Sequence, residues 1–175
     1  MENPSLRAGI SLTELTATFV PAGLLIATSL LAAEFTLSLD RYRALYPLWA
    51  AAALAIPAVY AHVAADGVRS MQRYWLLFWT FSFAAFLIHL GYSFKGYHRG
   101  SWLEVALAAV WAVDLALGWF SDSQARWVAF LRAGVLLGVL AWFTYALVSH
   151  SGEWLPLLLG FALVGAAVLG LWPRG

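Results

Sequence analysis

The sequence predicts an all-α, polytopic integral membrane protein, a bundle of about six transmembrane helices joined by short loops. Of the 175 residues, 63% are hydrophobic and 11% are charged, whereas soluble domains carry about 25% charged residues. The mean hydropathy is +0.79, and several apolar segments reach the length of about 20 residues that a helix needs to cross a bilayer. So few charged residues cannot cover the surface of a water-soluble fold of this size. The chain is therefore expected to lie in a membrane.

The apolar segments predict helices at successive positions in a single transmembrane domain that comprises residues 1–175. Because the loops between them are short, consecutive helices are expected to be antiparallel neighbours. The predicted helices are 12–38, 46–66, 74–95, 102–120, 122–149 and 153–172.

Three of these helices begin with a recognisable capping signal. In a capping box, a serine hydroxyl and a Glu or Gln three residues later satisfy the free backbone N–H groups of a helix start. "SLTE" at Ser11–Glu14 marks the first helix, "SWLE" at Ser101–Glu104 the fourth, and "SDSQ" at Ser121–Gln124 the fifth. These signals agree with the helix starts that the apolar segments predict independently.

The remaining features of the segments are compatible with bilayer helices. Pro21 and Pro57 lie inside the first two segments, where neighbouring helices can satisfy the carbonyls that a proline leaves free. The fifth segment contains "GVLLG", Gly134–Gly138, a GxxxG motif that allows another helix to approach closely. The sixth segment is rich in glycine and contains no charge after Glu153.

The basic residues give a small bias in orientation. With six spans, five arginines share the side of both termini, and four basic residues face the other side. The positive-inside rule then predicts both termini in the cytoplasm, and the composition suits a bacterial inner membrane. The first set is Arg7, Arg69, Arg73, Arg126 and Arg174; the second is Arg41, Arg43, Lys95 and Arg99.

Composition disfavours several classes of site and partner. The chain has no cysteine, so Cys-ligated metals are disfavoured. Its net charge of +1 comes without a basic arm, so no nucleic-acid partner is expected. Haem with two histidine ligands is disfavoured because His62 and His89 fall towards opposite membrane faces. The four histidines are isolated in the sequence, so no metal site is expected.

Two charged residues inside the predicted helices are expected to form an ion pair. Asp114 and Arg132 lie at a similar depth below the same surface when sequence position is converted by the helical rise of about 1.5 Å per residue. Each charge alone would be very unfavourable in hydrocarbon. We interpret them as a structural pair, with a proton relay that also uses His62 as the alternative.

The stretch "FLIHLGYSFKGYHRGSWLEV", Phe86–Val105, concentrates the polar residues of the opposite surface. Within it His89 is predicted inside a helix, and Glu34 at the end of the first helix lies at a similar depth. These two residues are the candidates for an acid–base pair. Glu104 is explained by its capping box. The residues predicted to bind a ligand are His89, Tyr92, Lys95, His98 and Arg99.

These observations support one main functional hypothesis and two alternatives. The main one is a small subunit of a larger membrane complex, of an electron-transfer or oxidase type, that contributes helix packing and a contact site for a lipid, a quinone or a pigment. Membrane lipids and other membrane subunits, or further copies of the chain, are its expected partners. The first alternative is a membrane enzyme that acts on a lipid or isoprenoid through Glu34 and His89. The second is a proton-coupled transporter that uses Asp114, Arg132 and His62.

Overall fold

The computed structural model describes residues 10–64, 69–97, 101–121, 125–149 and 154–171, and these are almost entirely helical, with no strand among them. A single π-helical turn, Ser93–Tyr97, continues the third helix. The six α-helices are α1 (Leu12–Glu34), α2 (Leu39–Val63), α3 (Arg69–Tyr92), α4 (Trp102–Phe120), α5 (Arg126–Ser149) and α6 (Trp154–Leu171).

The predicted all-α membrane bundle is confirmed. Helices α1 to α5 are each long and apolar enough to cross a membrane, and α6 contributes a shorter apolar helix, Trp154–Leu169. The end of the bundle at which α1 ends and α2 begins is called the Glu34 face below. The end at which α1 begins is called the Glu14 face.

Several predicted helix ends are wrong because a helix does not stop where the apolar residues stop. α1 ends at Glu34 rather than at residue 38, and α2 begins at Leu39 rather than at residue 46. The first turns of α2 contain Asp40, Arg41 and Arg43, which hydropathy alone assigns to a loop although they continue the backbone hydrogen bonding. α3 begins at Arg69 rather than at residue 74 for the same reason.

Two of the three predicted capping boxes are formed. Ser11 Oγ accepts the Glu14 N–H at 3.1 Å, and the Glu14 carboxylate accepts the Ser11 N–H at 2.9 Å. Ser101 and Glu104 repeat this arrangement at 3.2 and 3.1 Å. The third box falls largely on residues 122–124, outside the described residues. Ser121 itself is the C-cap of α4, and its N–H donates to the Leu117 carbonyl.

α2 is the central helix of the bundle. It packs most extensively against α3, then against α6 and α1, while α1–α3, α3–α4, α4–α5 and α5–α6 are the neighbouring pairs around it. About 72% of the α2 span is buried within the protein, against 11% of the α1 span. The second helix in the chain is thus largely shielded from lipid, and the first is largely exposed to it.

Two side chains of α3 bond directly to the backbone of α2. Ser82 Oγ donates to the Ala51 carbonyl at 2.7 Å, and His89 Nδ1 lies 2.8 Å from the Ala44 carbonyl. The two contacts are seven residues apart on each helix, which fixes α2 and α3 as an antiparallel pair in one register. Small fully buried residues on α2, such as Ala55 and Ala58, allow this close approach.

An aromatic cluster fills the space between α3, α4 and α5. Trp111 of α4 is fully buried, and its ring centroid lies 4.5 Å from that of Trp79 and 5.7 Å from that of Phe86. Phe143 of α5 completes the cluster at 6.1 Å from Trp111. Of the GxxxG motif on α5, Gly138 faces Leu107 of α4, while Gly134 has open space around it.

Candidate functional site

His89 lies near the end of α3, buried and held from two sides. Its Nδ1 lies 2.8 Å from the Ala44 carbonyl of α2. Because a carbonyl can only accept, Nδ1 carries the hydrogen, and this leaves Nε2 as the nitrogen that can gain or lose a proton. Nε2 faces Glu104 Oε1 of α4 at 3.7 Å. Ser93 Oγ lies 3.5 Å from each ring nitrogen.

Glu104 therefore serves two purposes with its two carboxylate oxygens. Oε2 accepts the Ser101 N–H in the capping box, and Oε1 faces His89. Its side chain is 12% exposed and that of His89 is 6% exposed, so water has little access to either. At 3.7 Å, Nε2 and Oε1 lie within ion-pair distance but beyond hydrogen-bond distance.

The predicted contact between Glu34 and His89 is not formed among the described residues. The Glu34 carboxylate instead accepts two hydrogen bonds from Arg43 of α2, from Nε at 2.8 Å and from Nη2 at 2.6 Å. This bidentate geometry is the one that guanidinium and carboxylate favour. Depth matching placed Glu34 and His89 at one level of the membrane, but depth carries no information about the direction in which each helix presents its side chain.

Of the other residues predicted to bind a ligand, two lie in the described structure. Tyr92 is half-buried in the last turn of α3, and Lys95 is exposed in the π-helical turn. His98 and Arg99 lie outside the described residues. A ligand site formed by these residues stays a prediction.

The structure brings Asp114 and Arg132 together. Arg132 Nε donates to Asp114 Oδ1 at 3.2 Å, and Trp79 Nε1 donates to Oδ2 at 3.0 Å. The side chain of Asp114 is 1% exposed, so both carboxylate oxygens are satisfied inside the protein. The Arg132 guanidinium also lies 4.6 Å from the ring centroid of Trp75, a favourable cation–π distance.

His62 contacts this group through the ring of Trp75. Its ring centroid lies 4.8 Å from that of Trp75, so Trp75 stands between His62 and Arg132. An indole ring packed in this way does not pass protons along hydrogen bonds. Because Asp114 already has two donors, the arrangement favours a structural role for the ion pair.

A groove lies on the side of the bundle, and its walls are formed by α1, α2 and α6. Its volume is about 510 Å³, within the range of about 300–1,000 Å³ that is typical of small-molecule sites. The α1 and α6 backbones do not approach each other, which leaves this side of α2 open. The lining residues are Leu25, Thr28, Ser29, Ala32, Tyr46, Trp49, Ala50, Ala53, Trp154, Leu155 and Leu159.

The polar groups of this groove are neutral. The Thr28 and Ser29 hydroxyls donate to carbonyls of their own helix and keep acceptor capacity. Tyr42, Tyr46 and Trp49 form a ladder of aromatic rings along α2, each ring centroid 5.0 Å from the next. The ladder runs from the Glu34 face into the groove.

The sequence pattern did not reveal this site. Its residues come from the consecutive helices α1 and α2 and from the distant helix α6, and none is charged. The available signal was the spacing of Tyr42, Tyr46 and Trp49, which places three aromatic rings on one face of a helix in a segment otherwise rich in alanine.

Comparison of the chain with protein-family models, with curated proteins and with solved structures gave no significant match.

Proposed function

We propose that the protein is a small integral membrane subunit that holds an amphipathic membrane molecule in the groove between α1, α2 and α6. The observation that carries this proposal is the open side of α2. About 72% of the α2 span is buried within the protein, and the groove lies against its stretch from Tyr46 to Ala53, with walls that are apolar apart from a few neutral polar groups.

The chemistry of the groove favours binding of a molecule over catalysis of its reaction. Hydroxyl, indole and phenol groups orient a ligand by hydrogen bonding, whereas acid–base catalysis uses groups that titrate near the operating pH. We therefore propose that any reaction of the bound molecule takes place on a partner subunit. The exposed apolar faces of α1, α4, α5 and α6 offer surface for lipids and for such a partner.

The proposal is tested by purifying the chain in mild detergent and extracting the molecules that remain bound. Ala53→Trp places a large ring in the groove and is expected to abolish retention of the bound amphiphile. Ala109→Trp, at an exposed alanine of α4, is the matched control and is expected to retain it. Equal retention by both variants would exclude the groove as the site.

The subunit part of the proposal has a separate measurement. Native electrophoresis of gently solubilised membranes is expected to show an assembly larger than one chain of 19.2 kDa in its micelle. Migration as a single chain under all mild conditions would contradict it.

A membrane enzyme acting on a lipid or isoprenoid is the second candidate, supported by the buried His89–Glu104 arrangement. In this reading the acid–base partner of His89 is Glu104. Membranes that contain the Glu104→Gln chain would then accumulate an unconverted lipid, whereas Glu34→Gln, the matched control, would not. Identical lipid extracts from both would exclude this role for Glu104.

A further inference from the structure

We propose that the molecule held in the groove is a quinone-type amphiphile, with a planar ring that bears carbonyl oxygens and a long apolar tail, and that Trp49 Nε1 donates to one of these carbonyls. This inference rests on the proposed function, because it assumes that the groove is occupied. It adds the chemical class of the occupant and the residue that recognises it.

The first observation is an unused donor in the wall of the groove. Trp49 is 7% exposed, and its Nε1 is buried without a hydrogen-bond partner among the described residues. A buried N–H left without an acceptor is unfavourable. An acceptor oxygen on a ligand removes this cost, and a purely hydrocarbon ligand does not.

The surroundings distinguish Trp49 from the other tryptophans that lack a partner. Trp75, Trp111 and Trp142 also have a buried Nε1 without a partner in the described structure. Trp75 and Trp111 are packed against other rings in the protein interior. Trp49 is part of the wall of an open groove, so its indole borders space that a membrane molecule can enter.

The second observation is the ring ladder on α2. Tyr46 and Trp49 both line the groove, with ring centroids 5.0 Å apart and planes inclined by 48°. Aromatic faces of this kind favour a planar ring as neighbour, in offset or inclined stacking. An acyl chain gains no such contact, so the wall fits a planar head group better than a second hydrocarbon chain.

The third observation is the position of the groove within the membrane. Its α2 wall runs from Tyr46 to Ala53, and the Glu34–Arg43 ion pair lies about one turn nearer the Glu34 face. Arg43 is paired with Glu34, and the neighbouring Asp40 and Arg41 carry opposite formal charges, so these four side chains at this end of the groove have no net formal charge. A neutral head group therefore matches the site better than a phosphate, and leucines such as Leu25 and Leu159 are placed to contact its tail.

The experiment uses the full-length chain in nanodiscs with decylubiquinone as the quinone probe and decylbenzene as a probe with the same tail and no carbonyl. Trp49→Phe is expected to weaken decylubiquinone binding about three- to tenfold, the loss of one hydrogen bond, and to leave decylbenzene binding unchanged. Trp142→Phe, which removes another indole without a partner, is the matched control and is expected to leave both affinities unchanged.

Infrared difference spectra of the unaltered chain provide a measurement that does not depend on the folding of any variant. One carbonyl stretching band of bound decylubiquinone is expected at lower wavenumber than the band of the free quinone in empty nanodiscs. A bound quinone with both carbonyl bands at the free position would overturn the role of Trp49.

The outcomes separate this inference from the proposed function. If decylubiquinone and decylbenzene bind equally and Ala53→Trp blocks both, the groove is a site for hydrocarbon chains and the quinone inference is wrong. If neither probe binds in excess of empty nanodiscs and Ala53→Trp changes nothing, the proposed function itself is wrong.

Discussion

Glu14 and Glu104 each cap their own helix and also contact a side chain of α3. Glu14 caps α1 and also accepts from Arg73 Nη1 of α3 at 3.3 Å, and Glu104 caps α4 while it faces His89 near the end of α3. In each case the capping box fixes the side chain, so less conformational entropy is lost when the second contact forms. α3 is thereby tied at both ends by the first turn of a neighbouring helix.

Substitutions can distinguish the contributions of the two ring nitrogens of His89 to stability. His89→Asn keeps a donor near the position of Nδ1 and is expected to retain the bond to the Ala44 carbonyl. His89→Gln places its amide near Nε2 and keeps only the longer contact with Glu104. We expect His89→Gln to be the less stable variant by about 1 kcal/mol, measured as the unfolding midpoint in mixed detergent and SDS. The reverse order would show that Glu104, and not Ala44, holds the ring.

The Asp114–Arg132 pair is expected to be sensitive to single substitutions. Asp114→Ala or Arg132→Met leaves one buried charge without its partner, at a cost of about 3–5 kcal/mol. The charge exchange Asp114→Arg with Arg132→Asp is expected to restore only part of this stability, because Trp79 then loses its acceptor. A double-mutant cycle measures the coupling, and additive losses would show that the two side chains do not interact in the membrane.

Among the elements, the α3–α4 contact is the closest approach that depends on a glycine. A Cβ placed on Gly118 would lie 2.7 Å from Leu76 Cδ1, whereas Gly134 on α5 has nothing within 4 Å. A glycine is thus tightly packed at position 118 and has open space around it at position 134. The GxxxG motif predicted a close helix contact at Gly134. The structure shows the close contact at Gly118 instead.

Gly118→Leu is therefore expected to destabilise the bundle by about 1–3 kcal/mol, since overpacking displaces Leu76 and the α3–α4 contact. Gly134→Leu is the matched control and is expected to have little effect, because its side chain would enter open space. Unfolding in SDS of both variants checks this. Equal destabilisation would indicate that Gly134 contacts a partner in the membrane.

The sequence predicts the elements well and their mutual orientation poorly, for a physical reason. Runs of apolar residues reflect the hydrocarbon core, so they located the membrane helices, and the capping boxes placed the starts of α1 and α4. Hydropathy does not detect helical turns that contain charged residues, so the sequence did not predict the start of α2 at Leu39. Depth matching brought Asp114 and Arg132 together on sequential helices, but it could not place Glu34 beside Arg43 and Glu104 beside His89.

For the whole molecule, the number of crossings decides the topology. With six crossing helices, single cysteines at Ser38 and Ser101 are expected to be labelled from the Glu34 face, and those at Ser121, Asn3 and Arg174 from the other face. We propose that this second face is cytoplasmic, from the small excess of arginines. The native chain has no cysteine, so membrane-impermeant thiol reagents report each site separately. Labelling of Arg174→Cys from the Glu34 face would show that α6 does not cross.

The central position of α2 has a consequence for how the protein is made. α2 leaves the ribosome second, but α6, one of its main packing partners, is synthesised last. Until then the side of α2 that packs against α6 has only lipid or the insertion machinery as neighbour. The α6 wall of the groove is likewise absent until α6 has been translated. A nascent chain therefore acquires the complete groove only after the sixth helix is made, so every chain with this groove has been translated through α6.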